Sequence, residues 1–348
     1  MTQPKACILS VAGAELTADE SRFFADANPW GVILMGRSCQ GPAQVRALVD
    51  QIWAATGRAT LIFIDQEGGR VRRMRPPNWP DFPAAWRYAE IYERDHAAGI
   101  EAAFLGHRLI AAELAPLGVH ADCAPVLDLR HPGAHDIVGD RSFGDGPGQV
   151  AVLGRAALKG LAAGGVAGVV KHMPGHGRAE LDSHEALPKV TAGNNELAQD
   201  FAPFEALADA PMAMTAHIAY AALDGDTPAT VSAKIIGEVI RRRIGFGGLL
   251  MSDDLGMKAL GGSLYDRASR AIRAGCDVAL HCAGFTKDAD AILREMQDVA
   301  EAAPVLAGAS LARAEAAERA TLFAQPFDRA EGWARLEALL AGSGAAVA

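Results

Sequence analysis

Residues 171–188 read KHMPGHGRAELDSHEALP and bring Lys171, His172, His176, Asp182 and His184 into one short stretch with Pro174, Gly175, Gly177 and Pro188. A helix cannot run through Pro174-Gly175, so this is a long loop. Loops of this length in compact domains are commonly functional. Asp182 and His184 are separated by one residue, and in an extended segment such side chains share a side. A carboxylate beside an imidazole fixes its tautomer and raises its pKa, which suits a general acid/base working near neutrality. Asp253 ends an apolar run over 247–252 and is a candidate nucleophile, able to attack an electrophilic carbon and hold a covalent intermediate. Its neighbour Asp254 would point away in a continued strand and suits a helix N-cap or a structural role, although alternation alone leaves open which of the two faces inward. Lys171 could form a Schiff base or donate hydrogen bonds to a polyhydroxyl ligand. His172 and His176 have the spacing of a metal-binding pair, but that geometry needs a helix, so no metal site is expected. His217, after Met214-Thr215-Ala216, is either a ligand contact or a packed imidazole.

The elements that must carry these residues recur along the chain. Short apolar, β-branched runs fall at 6–11, 31–35, 60–64, 118–126, 167–170, 212–215, 247–251 and 276–280. Between them lie Ala- and Leu-rich stretches with charges at helical spacing, over 43–55, 96–117, 149–163, 196–208, 233–244, 265–274 and 287–302. Strands alternating with helices call for a parallel sheet. Eight such units in a chain of this length suit an α/β fold of the closed (β/α)8, TIM-barrel type. An open doubly wound sheet is the competing topology, and the absence of a GxGxxG after the first strand counts against it. In a barrel, chemistry belongs just after the strands. Asp65-Gln66-Glu67-Gly68-Gly69-Arg70, Asp128 with Arg141, the 171–188 stretch, His217 and Ser252-Asp253-Asp254 all stand there. The expected organisation is a single barrel domain over 1–303, then helices packed outside it and a frayed tail over 304–348.

With 348 residues, half of them apolar, the chain can bury a large core. A formal net charge of −9 argues against a nucleic-acid or anionic-membrane surface, each of which needs a basic patch. No apolar run reaches the roughly 18 residues of a membrane-spanning helix, and the N-terminus lacks the layout of a signal peptide. The five cysteines show no CxxC spacing and suit buried, reduced thiols. A cytoplasmic protein is expected, and a monomer, because a large barrel needs no partner to bury its core.

Seven segments together resemble glycoside hydrolase family 3, and within it the single-domain bacterial β-N-acetylglucosaminidases. They are DQEGGRVRR (65–73), APVLDL (124–129), DRSF (140–143), KHMPGHG (171–177), DSH (182–184), MTAH (214–217) and SDDLGM (252–257). The resemblance runs from about residue 6 to 300. It implies a retaining mechanism with Asp253 as nucleophile and His184, paired with Asp182, as acid/base. It implies that Asp65, Arg73, Arg141, Lys171 and His172 bind a terminal N-acetylglucosamine, with Arg70 organising the site. It implies no metal and no cofactor. The implied substrate is a cytoplasmic muropeptide, GlcNAc β-1,4-linked to 1,6-anhydro-N-acetylmuramic acid with or without its peptide, and the implied role is cell-wall recycling. The rival readings are a family 3 β-glucosidase or β-xylosidase, a GlcNAc phosphorylase, a Schiff-base barrel aldolase and a non-catalytic sugar-binding barrel.

Overall fold

The computed structural model describes residues 3–131, 133–179, 181, 187–321 and 323–342. Eight parallel strands form one sheet: β1 (Lys5–Leu9), β2 (Pro29–Leu34), β3 (Leu61–Ile64), β4 (Ala121–Asp122), β5 (Ala167–Met173), β6 (Met212–Thr215), β7 (Leu249–Met251) and β8 (Ala279–Leu280). Each strand pairs with its neighbour in sequence, and β8 returns to pair with β1. The last gap, between β7 and β8, is closed by the parallel bridge Met251↔Val278 and by Asp277 N–H donating to the Leu250 carbonyl at 2.7 Å. The (β/α)8 barrel expected from the sequence is therefore the fold.

The strands are mostly apolar because both faces are buried, and polar residues such as Lys171 and His172 come at the strand ends. Side chains at 61 and 63, 167 and 169, 212 and 214, 249 and 251, and 278 and 280 fill the barrel interior. The alternate residues, among them Ile62, Ile64, Val170, Ala213, Leu250 and Ala279, pack outward against Val45, Leu48, Ile52, Leu153, Ile292 and Met296 of the surrounding helices. This two-residue alternation also sets the direction of every polar group placed at a strand end.

The fourth apolar run is strand-like over a shorter length than expected, because Pro125 has no N–H to add to the ladder. The segment still runs beside β5: Val169 N–H donates to Ala124 and Leu127 N–H to Lys171. After residue 304 the chain does not simply coat the outer helices. Helix Gly308–Arg319 places Ala314 and Ala317, with Leu306 before it, in the same buried cluster as the inward strand residues. Trp30 Nε1 donates to Glu318 at 2.7 Å, and Asp277 accepts from Ser310 and Arg313 at 2.6 and 2.9 Å. This helix covers the end of the barrel where the strands begin. Helix Arg329–Ala341 lies outside it, with Trp333 stacked on Phe82. No helix among the described residues is long and apolar enough to cross a membrane.

Candidate active site

At the opposite end, where the strands finish, a cavity of about 340 Å³ opens. Its polar wall is Asp65, Glu67, Arg70, Arg73, Arg141, Lys171, His172, His176, Asp253 and Asp254, and its apolar wall includes Ile33, Met35, Met214, Met257 and Leu280. The strand alternation explains how the polar groups arrive there. Asp65 continues the inward series 61, 63; Lys171 continues 167, 169; Asp253 continues 249, 251. Asp254 belongs to the other series, and its carboxylate is tied down by backbone, accepting from Gly256 N–H at 3.0 Å and Cys282 N–H at 2.9 Å. Asp253 is the half-buried member of the pair and takes the Asp254 N–H at 2.7 Å through Oδ1.

A buried ion network faces Asp253 across the cavity. Asp65 accepts from Arg73 at 2.6 Å and from Lys171 Nζ at 3.0 Å. Lys171 Nζ also meets Glu67 at 2.6 Å, and Arg141 grips both oxygens of Glu67 at 2.8 Å each. Burial alone would raise the two carboxylates, but the cations outweigh it. Lys171 and Arg73 hold Asp65 well below the usual range, and Arg141 with Lys171 holds Glu67 at about 2. Burial would likewise lower Lys171, yet Glu67 and Asp65 hold it above its ordinary value. An ammonium paired with two carboxylates is a hydrogen-bond donor, not the free amine that Schiff-base chemistry requires, which counts against the aldolase reading.

The loop after β3 is shaped for this network. Gln66–Gly68 and Val71–Arg72 form a short antiparallel hairpin. Gly68 takes φ +88°, and a Cβ there would collide with the Pro83 carbonyl oxygen, so only glycine fits. The Gln66 side chain caps the hairpin: its oxygen accepts from Arg73 and Met74 N–H and its amide donates to the Met74 carbonyl. Arg70 reaches across to the 136–140 loop, pairing with Asp136 and Asp140 and donating to the Ile137 carbonyl.

Asp128, fully buried after β4, positions the start of the 171–188 stretch. It accepts from the His172 ring Nδ1 and from His176 backbone N–H, each at 2.6 Å. Nε2 is then the imidazole nitrogen of His172 left for a ligand. His176 is pulled down to about 4 by burial and by the neighbouring His172. Among the described residues no group of three or more His, Cys, Asp or Glu side chains is disposed to hold a metal.

Of the residues singled out by sequence, Asp65, Arg73, Arg141, Lys171, His172 and Asp253 line one cavity. Asp182 and His184 lie outside the described residues. His217 is a packed imidazole: fully buried, it contacts Thr230 Oγ1 through Nδ1 at 2.7 Å and donates from Nε2 to the Asp254 carbonyl at 3.0 Å. Sequence reasoning assigned no role to Glu67 and Asp128, although both sit in segments it marked. Glu67 stands two residues after Asp65, on the same side of an extended chain, and that spacing was the available signal. Asp128 carried no such signal, because its partners come from the next strand.

A closed barrel with a charge-lined cavity and an inward carboxylate at its C-terminal rim has the site architecture of a barrel enzyme acting on a polar small molecule. The "Glycosyl hydrolase family 3 N terminal domain" matches residues 2–315, and the chain belongs to glycosyl hydrolase family 3. It is a glycoside hydrolase. It is 40% identical over 299 residues to a β-hexosaminidase of Alkalilimnicola ehrlichii, covering 84% of each chain. It is 38% identical over 284 residues to a β-hexosaminidase of Bordetella avium, covering 80% of this chain and 81% of the relative. Among solved structures, native NagZ from Neisseria gonorrhoeae superposes with a TM-score of 0.82 at 31% identity, covering 100% of this chain and 99% of its own. The complex of that NagZ with N-trifluoroacetyl-D-glucosamine matches with the same TM-score at 30% identity over 98% of each chain.

Proposed function

We propose that this chain is a retaining β-N-acetylglucosaminidase that removes a terminal N-acetylglucosamine. The observation that carries the reading is the single cavity in which Asp253 faces the Asp65–Arg73–Lys171–Glu67–Arg141 network. Neutral hydroxyls and an acetamide are recognised by fixed donors and acceptors, and here Asp65 accepts while Lys171, Arg141 and Arg73 donate. The similarity to a NagZ found in complex with an N-acylated glucosamine supports the same sugar.

In this mechanism the Asp253 carboxylate attacks the anomeric carbon as the bond to the leaving oxygen breaks. His184, oriented by Asp182, protonates that oxygen. In the second step His184 takes a proton from water, the water oxygen attacks the anomeric carbon, and Asp253 is released with overall retention. A His–Asp pair performs the acid/base step with less negative charge beside Asp253 than a second free carboxylate would bring. The reaction uses no metal and no cofactor. The natural substrate under this proposal is a muropeptide, GlcNAc β-1,4-linked to 1,6-anhydro-N-acetylmuramic acid with or without peptide. It is processed by a monomer in the cytoplasm during peptidoglycan recycling.

The test compares hydrolysis of p-nitrophenyl β-glycosides of N-acetylglucosamine and glucose in phosphate-free buffer containing a chelator. Release from the N-acetylglucosamine compound alone supports the reading, and release from the glucose compound overturns the sugar assignment. Accumulation of GlcNAc-1-phosphate on adding phosphate would make the enzyme a phosphorylase. Asp253→Asn should lower kcat by about 10³-fold or more while sugar binding stays measurable by calorimetry. Retained turnover would return Asp254 to candidacy. His184→Ala should lose far more activity on a natural disaccharide than on an activated aryl glycoside, because the missing function is protonation.

A further inference from the structure

A buried imidazole stands behind the candidate nucleophile, on the side away from the cavity. His281 follows β8, is 1% exposed, and lies between carboxylates from two different elements. Its Nε2 is 3.0 Å from Glu295 of helix Ala289–Ala302, and its Nδ1 is 3.4 Å from Asp254 Oδ1. The other oxygen of Glu295 accepts from Thr286 Oγ1 at 2.6 Å. On the near side, Asp254 N–H donates to Asp253 Oδ1 at 2.7 Å, and the Asp254 carbonyl accepts from His217. A continuous chain of contacts, Thr286–Glu295–His281–Asp254–Asp253, therefore links the cavity to a second cleft of about 160 Å³ lined by His281, Thr286 and Glu295.

We propose that His281 is a positioning residue for Asp253: by bridging Asp254 and Glu295 it anchors the 253–256 turn so that the Asp253 carboxylate keeps its aim into the cavity. The inference rests on the reading of Asp253 as nucleophile. The Asp254 carboxylate is held through a single oxygen, Oδ1, which accepts from Gly256 N–H and Cys282 N–H and lies within ion-pair range of His281 Nδ1. The turn is also close-packed: a Cβ at Gly256 would press on both Asp254 Oδ1 and the His281 ring. Doubly protonated, His281 donates to Glu295 and carries a charge attracted to Asp254, with which Nδ1 makes an ion-pair contact and not a hydrogen bond; neutral, it loses that attraction.

Burial pulls His281 down, but Asp254 and Glu295 outweigh it and push it up to about 9. The other charged groups facing this cluster are Arg37 and Arg267. Arg37 donates to the Val11, Ala283 and Cys282 carbonyls and to Ser10 Oγ, and Arg267 to the Leu255 and Met257 carbonyls. Both cations favour an ionised Asp254, and both hold their charge throughout the range in which His281 titrates. Because the folded-state value is raised, the bridge is complete below it and is lost as pH rises through it.

The experiment uses 2,4-dinitrophenyl β-N-acetylglucosaminide, whose leaving group needs no proton, so loss of a general acid does not shape its glycosylation step. The pH dependence of kcat/KM is measured for the wild type, Glu295→Gln and His281→Gln, with a 5-fluoro glycosyl substrate used in parallel to label the nucleophile. The wild type should show an alkaline limb near the His281 value. Glu295→Gln should move that limb acidward by about one unit, since one of two attracting charges is gone. His281→Gln should lose roughly ten- to a hundredfold in kcat, with KM little changed and the limb abolished. Superimposable pH profiles, or a loss carried wholly by KM, overturn the inference while labelled Asp253 leaves the nucleophile standing. Absence of label on Asp253 overturns the nucleophile assignment and this inference with it. Glu295 is part-exposed, so Glu295→Gln decides the matter even where His281→Gln fails to fold.

Discussion

Lys171 sits between two buried carboxylates and makes the polar wall affordable. Asp65 and Glu67 stay ionised out of water only because Lys171, Arg73 and Arg141 surround them. Removing one partner of such a set leaves charge uncompensated, so Lys171→Met should destabilise the fold by about 3–5 kcal/mol in urea unfolding at neutral pH and raise KM as well. A stability loss well under about 1 kcal/mol would mean that the two arginines neutralise the carboxylates unaided. Asp122 is the opposite case. It is fully buried, its Oδ1 accepts from Gln66 N–H, and among the described residues its Oδ2 has no hydrogen-bond partner. Burial is the main cause that raises it to about 7, with the nearby Asp65 and Glu67 adding to it and Gln66 N–H and Lys171 opposing. A carboxyl raised in the fold costs nothing below its unfolded value of about 3.9, costs progressively more as pH rises, and reaches its full penalty above the folded value. Asp122→Asn keeps the acceptor for Gln66 and removes the charge. Its Tm should exceed the wild type's by a few degrees near pH 8, and the gain should vanish near pH 4. An equal gain at both pH values would point to packing instead of charge.

At the scale of elements, the strands act as pointers. Two-residue alternation carries Asp65, Lys171 and Asp253 inward and leaves Asp254 to brace the turn behind. The 66–72 hairpin then folds Glu67 back over the same cavity, and its geometry depends on Gly68 at φ +88° against the Pro83 carbonyl. Gly68→Ala should therefore raise KM at least tenfold while the secondary structure, followed by circular dichroism, survives. An unchanged KM would show that the hairpin does not set the position of Glu67. The Pro125 interruption of β4 fits the same scheme, because the chain leaves the ladder just before Asp128, which orients His172.

At the scale of the whole molecule, the barrel is open to chemistry at one end and sealed at the other. Helix Gly308–Arg319 supplies Ala314 and Ala317 to the interior cluster and gives Asp277 two of its partners, Ser310 and Arg313. Deleting residues from 304 onward should expose that cluster and leave Asp277 with Arg241 alone among its charged partners. The shortened chain should bind a hydrophobic dye and lose the cooperative thermal transition of the full protein. A sharp transition near that of the full chain would show that the barrel closes without its cap.

Much of this was written into the order of residues. The recurrence of apolar runs and helical stretches determined a parallel barrel, because burial on both faces demands uninterrupted apolar strands. The same rule placed Asp65, Lys171, His172 and Asp253 at one end. Which of Asp253 and Asp254 faces the cavity could not be read locally. Alternation has two phases, and only the closed barrel says which phase is inside. Nor could the sequence show that Glu67 is shared by Lys171 and Arg141, that Asp128 orients His172, or that His217 and His281 both contact Asp254. Those contacts join residues tens of positions apart, His217 and Asp254 by 37, Asp128 and His172 by 44, Glu67 and Arg141 by 74. Chain topology brings them together, and the low dielectric of the interior then decides which of them hold charge.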